Sequence, residues 1–551
     1  MLKTLLGFSA LVALTTVGCL PARDSGEPAP VDPGAAAVAP TGEAQGGEAQ
    51  DGAIAFGAEP AGAVILSTAS CPALAMPPAA GAATLFVDAQ ATGAEDGSRE
   101  APFRTVAKAF AAATAKAVLW VAEGTYEEQL LVPNRGVTVL GGFAHGFGAR
   151  TNACATVLEA PNANAPVLSA TTDVKGFAIE GVMIQKSERA LLVLGDDKEH
   201  GTVTIARCVF AGNGSKSQVG GAVFLDSTHA RIFGSVFRDN VGAKGAALAA
   251  GGDVTLTIDQ NLFLKNLGYS DHGGGVYLNA AHAKISRNTF RGNATGVGTN
   301  SGWGGAIIVY SNSLQEIAKA DFSFNVFTEN TAGIGGAVFV DDGAVVTMSH
   351  DLLYRNRAYA VNGFVRGAAI YVDGTGYAGG GSTFTAEFLT VVNNVYDQNG
   401  AVSNATFGGN AYIEGFSKAS FTNSIFWNNG DSAFYVAEGA NELSVANSIG
   451  AGNCVSGNAQ GLAIAKPANC KIGAGVLQPS SVDFGDEAAN DYHEKSAAGR
   501  FSKGTWIKDK VTSAAIDKAD PTAAVDEEPM PNGNRANLGC FSRTIEASKS
   551  P

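Results

Sequence analysis

Asp341, Asp342 and Asp373 form the tightest local group of carboxylates that the internal repeat of this chain brings to one level, with Arg355, Arg357 and Arg366 nearby in sequence. Carboxylates held about 5 Å apart bind a divalent cation or raise one another's pKa. A pair at that separation also suits cleavage of a glycosidic bond. Asp341 and Asp373 are therefore the candidate calcium ligands, and Asp341, Asp342, Asp373 and Arg366 the candidate catalytic groups. The plain alternative is that they are solvated acids at turns. A second constellation runs along the repeat: Phe224, Tyr277, Phe339, Tyr371, Tyr412 and Tyr435 share one position, interrupted by Leu248 and Ile308. Two places on come Asp226, Asn279, Asp341, Asp373 and Glu414. Equal parity in a strand means an equal face, and successive carboxylates do not point into an apolar core. An external stripe of rings flanked by acids would suit sugar faces, hydroxyls and calcium. If the aspartate instead opens a turn, parity breaks and the rings are core stacking or lie under inserted loops; both readings stay open here.

The elements that would position these groups come from a repeat. Eight times between residues 210 and 429 an apolar residue is followed three places later by asparagine: Phe210/Asn213, Phe237/Asn240, Phe263/Asn266, Phe290/Asn293, Phe327/Asn330, Leu353/Asn356, Val391/Asn394 and Phe426/Asn429. The steps are 27, 26, 27, 37, 26, 38 and 35 residues, the long ones resembling the short with about ten residues inserted in a loop. This period is too short for a propeller blade and lacks a 3.6-residue pattern, so each repeat predicts one coil of a parallel β-solenoid. Equivalent positions then recur about 4.8 Å apart, placing the phenylalanines in an internal column. Asparagine suits the turn, because it tolerates left-handed angles and its amide can bond the coils above and below.

Glycine-rich corners mark a second set of columns: Gly220-Gly221, Gly273-Gly274, Gly304-Gly305, Gly335-Gly336 and Gly367-Ala368, each followed by a short apolar strand. Small residues permit a tight corner and close approach between coils. Seventy glycines, 19 prolines and 46% hydrophobic residues in 551 describe a large folded β-rich body. A formal charge of −14 without a long basic run argues against nucleic acid and against simple electrostatic capture of acidic polymers. The histidines show no pair at metal-ligand spacing, so no zinc site is indicated.

At the N-terminus, Met1-Leu2-Lys3 leads an apolar stretch from Leu5 to Val17 that ends at Gly18-Cys19. This has the layout of a secretory signal and is too short to span a bilayer. Residues 20–60, rich in Ala, Gly, Pro and Glu, predict a flexible tether. An exported chain permits disulfides, and close spacing favours Cys454 with Cys470, although other pairings stay open. Cys208, just before Phe210, reads equally as a buried free thiol. Phe103, Val106, Ala107 and Phe110 fall at helical spacing and predict a helix over 102–116 that covers the open N-terminal end.

Four stretches carry a resemblance. Leu85-Phe86-Val87-Asp88, Ala101-Pro102-Phe103-Arg104-Thr105, Glu123-Gly124-Thr125-Tyr126 and Val139-Leu140-Gly141-Gly142-Phe143 resemble the opening of bacterial right-handed parallel β-helix proteins of the pectate-lyase-like superfamily. The glycine-rich coils resemble repeats of polymorphic outer-membrane adhesins. Asp491-Tyr492-His493, Ala515-Ile516-Asp517 and Asn537-Leu538-Gly539 resemble a terminal module of such exported proteins, with Gly539-Cys540-Phe541 where Gly-Ala-Tyr is usual. Gly18-Cys19 resembles a bacterial lipoprotein signal, with Thr16 where leucine is usual, which implies lipidation of Cys19.

The resemblance implies an all-β, right-handed parallel β-helix with a short N-terminal capping helix and an irregular C-terminal cap. Its parts would be a signal peptide (1–19), a tether (20–60), an N-terminal cap with the first coils (61–150), the repeats (151–470) and a terminal module protecting the other end (471–551). Pectate lyases of this fold hold calcium with acids and use an arginine as base, but their motifs are absent here. The reading that follows is an exported protein, at the outer membrane or cell surface or secreted, anchored only by lipid, that binds glycan or a cell surface without chemistry. A calcium-dependent polysaccharide lyase or glycoside hydrolase is the alternative, and a purely structural envelope spacer the second. Aromatic exposure would separate the first and third.

Overall fold

The computed structural model describes residues 71–551, apart from 78–79, 82, 171–173, 175, 196–200, 253, 271, 297–301, 312–315, 360–364, 375–379, 398–409, 430–432, 438–439, 451–453, 458–462 and 466–467. The expected signal sequence, Cys19 and tether lie outside the described residues. No helix among the described residues is long and apolar enough to cross a membrane.

The chain winds as a right-handed parallel β-helix. Each coil contributes one strand to each of three long sheets of 14, 13 and 11 strands. One coil shows the plan: Gly201–Ala206 lies in the 14-stranded sheet, Val209–Ala211 in the 11-stranded sheet and Val223–Asp226 in the 13-stranded sheet. Because neighbouring coils pair in parallel, every repeat position becomes a column. Phe210, Phe237, Phe263, Phe290, Phe327, Leu353, Val391 and Phe426 are aligned in register. Their rings are buried, and from Phe210 to Phe327 they stack at 4.7–5.0 Å.

The asparagines form the expected ladder. Asn240 Nδ2 donates to Asn266 Oδ1 of the next coil (2.9 Å) and to the Phe210 carbonyl of the previous one (3.0 Å), and the pattern continues to Asn429. A second, unforeseen ladder runs through Asn261, Asn288 and Asn325 and ends on Asp351, whose Oδ1 accepts from Asn325 Nδ2 at 2.9 Å. At the corners, Gly304 has φ +67°, and a Cβ on Gly305 would stand 2.2 Å from the Gly336 carbonyl oxygen. The first glycine is thus required for the turn and the second for the approach between coils.

Two expectations need correction. The helix is only Val106–Ala112: Thr105 caps it, Glu128 bonds the first two amides at 2.8 Å, and Phe103 is drawn into a bridge with Val87. The terminal module does not sit over the end of the solenoid. Val482, Phe484, Tyr492, Ala515, Leu538, Cys540 and Phe541 pack on Val326, Leu352, Phe388, Val392, Ile425 and Ile449, along the outer side of the 11-stranded sheet. The outer face of those coils is apolar and needs covering, whereas a plain end cap would leave it in water. A disulfide joins Cys71 to Cys154, clamping the leading segment to the first coils, where Leu74 rests on Gly142 and Gly181. Cys470 is also disulfide-bonded; the side chain of Cys454 lies outside the described residues. Cys208 is a buried free thiol that burial pushes up to about 12.

Candidate functional site

The candidate groups meet on the outward face of the 13-stranded sheet. Along Val223–Asp226 burial alternates, with Val223 and Leu225 in the core and Phe224 and Asp226 turned out. Tyr277, Phe339, Tyr371, Tyr412 and Tyr435 follow the same parity and form a cluster separate from the main core. Their rings stack from coil to coil, Phe339–Tyr371 at 4.9 Å, Tyr371–Tyr412 at 5.1 Å and Tyr412–Tyr435 at 4.4 Å.

The column is external to the core but is not an open stripe. Tyr371 is 1% and Tyr277 8% exposed, and only Phe224 is half-buried. The residue immediately before each glycine corner supplies the cover: Val219, Lys244, His272, Trp303, Ile334 and Arg366, mostly bridged one to the next. Lys244 stands over Tyr277 (5.5 Å), Trp303 over Phe339 (5.6 Å) and Arg366 over Tyr412 (5.3 Å). These six therefore displace the buried rings as the side chains a ligand would first meet. Their signal was present as a bulky residue preceding each Gly-Gly or Gly-Ala.

The acidic candidates behave as turn residues. Asp341 Oδ1 accepts the Asp342 amide (2.8 Å), and Asp373 Oδ1 accepts the Gly374 amide (2.7 Å). Asp342 lies at φ +52° and hydrogen-bonds Tyr310, whose hydroxyl is pushed to about 12 by burial and by that carboxylate. Among the described residues no three His, Cys, Asp or Glu side chains gather as a metal site. Arg366 is an ion-pair partner of Glu414 at 2.9 Å, and Glu414 also takes the Tyr371 hydroxyl. Burial works against the Arg366 charge, but Tyr371, Tyr412 and Glu414 outweigh it and hold the guanidinium above its usual range. It is thereby unsuited to act as a base. Arg355 points elsewhere, donating to the Glu487 carbonyl of the terminal module at 2.8 Å, and Arg357 lies over Tyr359.

At the other end of the face, His272, Trp303 and Tyr310 are only half-buried. His272 touches Trp303 at 4.6 Å and meets Tyr277 and Tyr310 edge-on at 6.0 Å. Burial and Lys244 push His272 down to about 3, so the ring is neutral. His272 Nδ1, Trp303 Nε1 and Asn279 Oδ1 are shut from water without a hydrogen-bond partner. Such groups cost about 1–3 kcal/mol each when left unpaired.

The family model for a right-handed β-helix region matches residues 177–377. Pectin methylesterase from carrot is 12% identical, over 59% of this chain and 87% of that one, with a TM-score of 0.27. The catalytic unit of a GH87 α-1,3-glucanase from Streptomyces thermodiastaticus is 15% identical, over 74% and 70%, with a TM-score of 0.37. A PL6 alginate lyase in complex with a trisaccharide is 11% identical, over 73% and 98%, with a TM-score of 0.31. A search of curated protein sequences found no significant match.

Proposed function

We propose that this protein is an exported, tethered β-helix that binds extracellular polysaccharide along the outward face of its 13-stranded sheet, without chemistry. The observation that carries the reading is the half-exposed group of His272, Trp303 and Tyr310 on this outward face. Ring faces suit the apolar side of a sugar. The register supports an extended ligand. Asp226, Asn279, Tyr310 and Asp341 align along one edge of the sheet, and Asp373 and Glu414 continue the row. Polar groups thus recur with the spacing of the coils, about 4.8 Å. The disulfide between Cys71 and Cys154 fits an oxidising compartment, in keeping with export, with lipidation at Cys19 as the anchor.

The test is binding of residues 61–551 to a panel of neutral and acidic polysaccharides, with and without calcium, following Trp303 fluorescence and the release of reducing or unsaturated ends. Saturable binding without release, abolished in Trp303→Ala, is expected. Release that depends on calcium and vanishes in Asp341→Ala or Asp373→Ala would replace this reading with a lyase. No binding to any polymer would leave the structural spacer.

A further inference from the structure

The terminal module carries a hairpin that its seating on the coils does not use. From Arg500 to Val511 the sequence reads Arg-Phe-Ser-Lys-Gly-Thr-Trp-Ile-Lys-Asp-Lys-Val. Arg500–Ser502 and Thr505–Ile507 pair antiparallel, with Phe501 opposite Trp506, across a two-residue turn in which Lys503 (φ +47°) and Gly504 (φ +79°) are both left-handed. Such a turn follows the twist of its strands and makes a tight hairpin. The base is pinned: buried Arg500 pairs with Asp491 (2.5 Å) and Asp509 (3.1 Å), and the Lys549 amide donates to the Gly499 carbonyl at 2.8 Å. From Lys503 to Lys508 every residue is exposed, so both faces of the ribbon reach solvent. None of residues 500–511 belongs to the apolar cluster that holds the module against the 11-stranded sheet.

Two kinds of side chain crowd this projection. Trp506, Ile507 and Val511 are 37%, 38% and 46% exposed; they are three of the ten large apolar side chains so exposed among the described residues, and they fall within six positions. Phe501, half-buried, meets Trp506 edge-on at 5.5 Å, and Lys549 Nζ stands 4.5 Å from the indole ring. Around them Lys503, Lys508 and Lys510 are exposed and enter no ion pair among the described residues. Asp509, the one carboxylate between positions 500 and 511, is drawn inward by Arg500 and by the Ser496 amide (2.9 Å). A chain of formal charge −14 thus presents, at this one place, apolar tips ringed by uncompensated cations.

We propose that this hairpin is a membrane-contact element: Trp506, Ile507 and Val511 enter the interfacial layer of an anionic lipid bilayer while Lys503, Lys508, Lys510 and Lys549 meet its headgroups. Indole rings settle at headgroup level, aliphatic tips reach past it, and lysines beside them are attracted by the negative surface. Other occupants fit less well. Lysine is depleted in interfaces between proteins, which disfavours a second copy of this chain. A sugar site sets precisely placed hydrogen-bonding groups about its rings, whereas the side chains gathered here with Trp506 are aliphatic or cationic. The element is separate from the outward face of the 13-stranded sheet and does not depend on glycan binding there.

The test uses the chain from residue 20 onward, which leaves out the apolar leader and Cys19 that would bind lipid by themselves. It would be sedimented with vesicles of phosphatidylcholine alone and of phosphatidylcholine mixed equally with phosphatidylglycerol. Partition onto the anionic vesicles should be stronger by about tenfold or more and should fall as salt is raised. The Lys503→Glu/Lys508→Glu/Lys510→Glu variant, which alters exposed side chains only, should lose about tenfold or more of that partition with its melting temperature unchanged. Brominated lipids should quench Trp506, read as the difference between wild type and Trp506→Phe. No partition onto anionic vesicles, equal partition by the lysine variant, or no difference in quenching would each overturn the proposal. So would lysine-dependent capture by a soluble polyuronate in place of vesicles, which would assign the hairpin to an acidic glycan, or self-association abolished in Trp506→Ala, which would assign it to a second copy.

Discussion

Trp303 lies flat on Phe339 of the next coil, ring centroids 5.6 Å apart and planes within 10°, and so closes the aromatic column while keeping its own outer side half-exposed. Trp303→Ala should therefore act twice. It removes the face on which a sugar would stack, and it uncovers Phe339 at a cost of about 2 kcal/mol. Trp303→Phe should restore most of the stability but less of the binding, since the smaller ring offers a sugar less stacking area. Equal binding by all three proteins would exclude Trp303 from the ligand site.

Arg366 and Glu414 stand 48 residues apart in sequence and close over Tyr371 and Tyr412. Removing one partner leaves the other charge half-buried, so Arg366→Ala should destabilise by about 2–3 kcal/mol. The double variant with Glu414→Gln should recover part of that loss. Denaturant midpoints of the two single variants and the double would check it, and strict additivity would show that the pair is not coupled.

Asn330 sits mid-ladder, bonded to the Phe290 carbonyl and to Asn356 at 2.9 Å, and accepting from Asn293 at 3.0 Å. Asn330→Ala should cost about 3 kcal/mol by stranding buried groups on both neighbouring coils. Asn330→Leu should be no better, because the loss is of partners and not of volume. Thermal unfolding of both variants tests the point.

The Cys71–Cys154 link closes a stretch of 83 residues. Chain entropy gives such a cross-link about 4 kcal/mol, so Cys71→Ser should lower the melting temperature and speed exchange around Leu74 and the Gly142 turn. Unchanged exchange there would mean that packing alone holds the leading segment.

Much of the scaffold was legible because a solenoid reduces folding to one dimension: a position that repeats must stack on itself. F-x-x-N predicted both the buried phenylalanine column and the amide ladder. The second ladder was equally readable and was missed, since Asn261, Asn288, Asn325 and Asp351 each stand two places before the column residue. Parity left open whether Tyr277 and Tyr371 face outward, and the structure sets them in a buried cluster apart from the main core. Parity could not show what lies above them, because Trp303 and Arg366 reach their rings through glycines at φ +67° and +58°, a backbone turn that parity does not carry.

The chain's own order of residues determined the winding, the columns and the glycine corners, all of which follow from contacts between equivalent positions one coil apart. Only the tertiary structure decided matters that join inequivalent positions. It seated the terminal module on the side of the 11-stranded sheet, tied Arg366 to Glu414, and turned Asp341 onto the amide of Asp342. Such contacts depend on which apolar surfaces remain uncovered once the coils have stacked, and no period in the sequence encodes that.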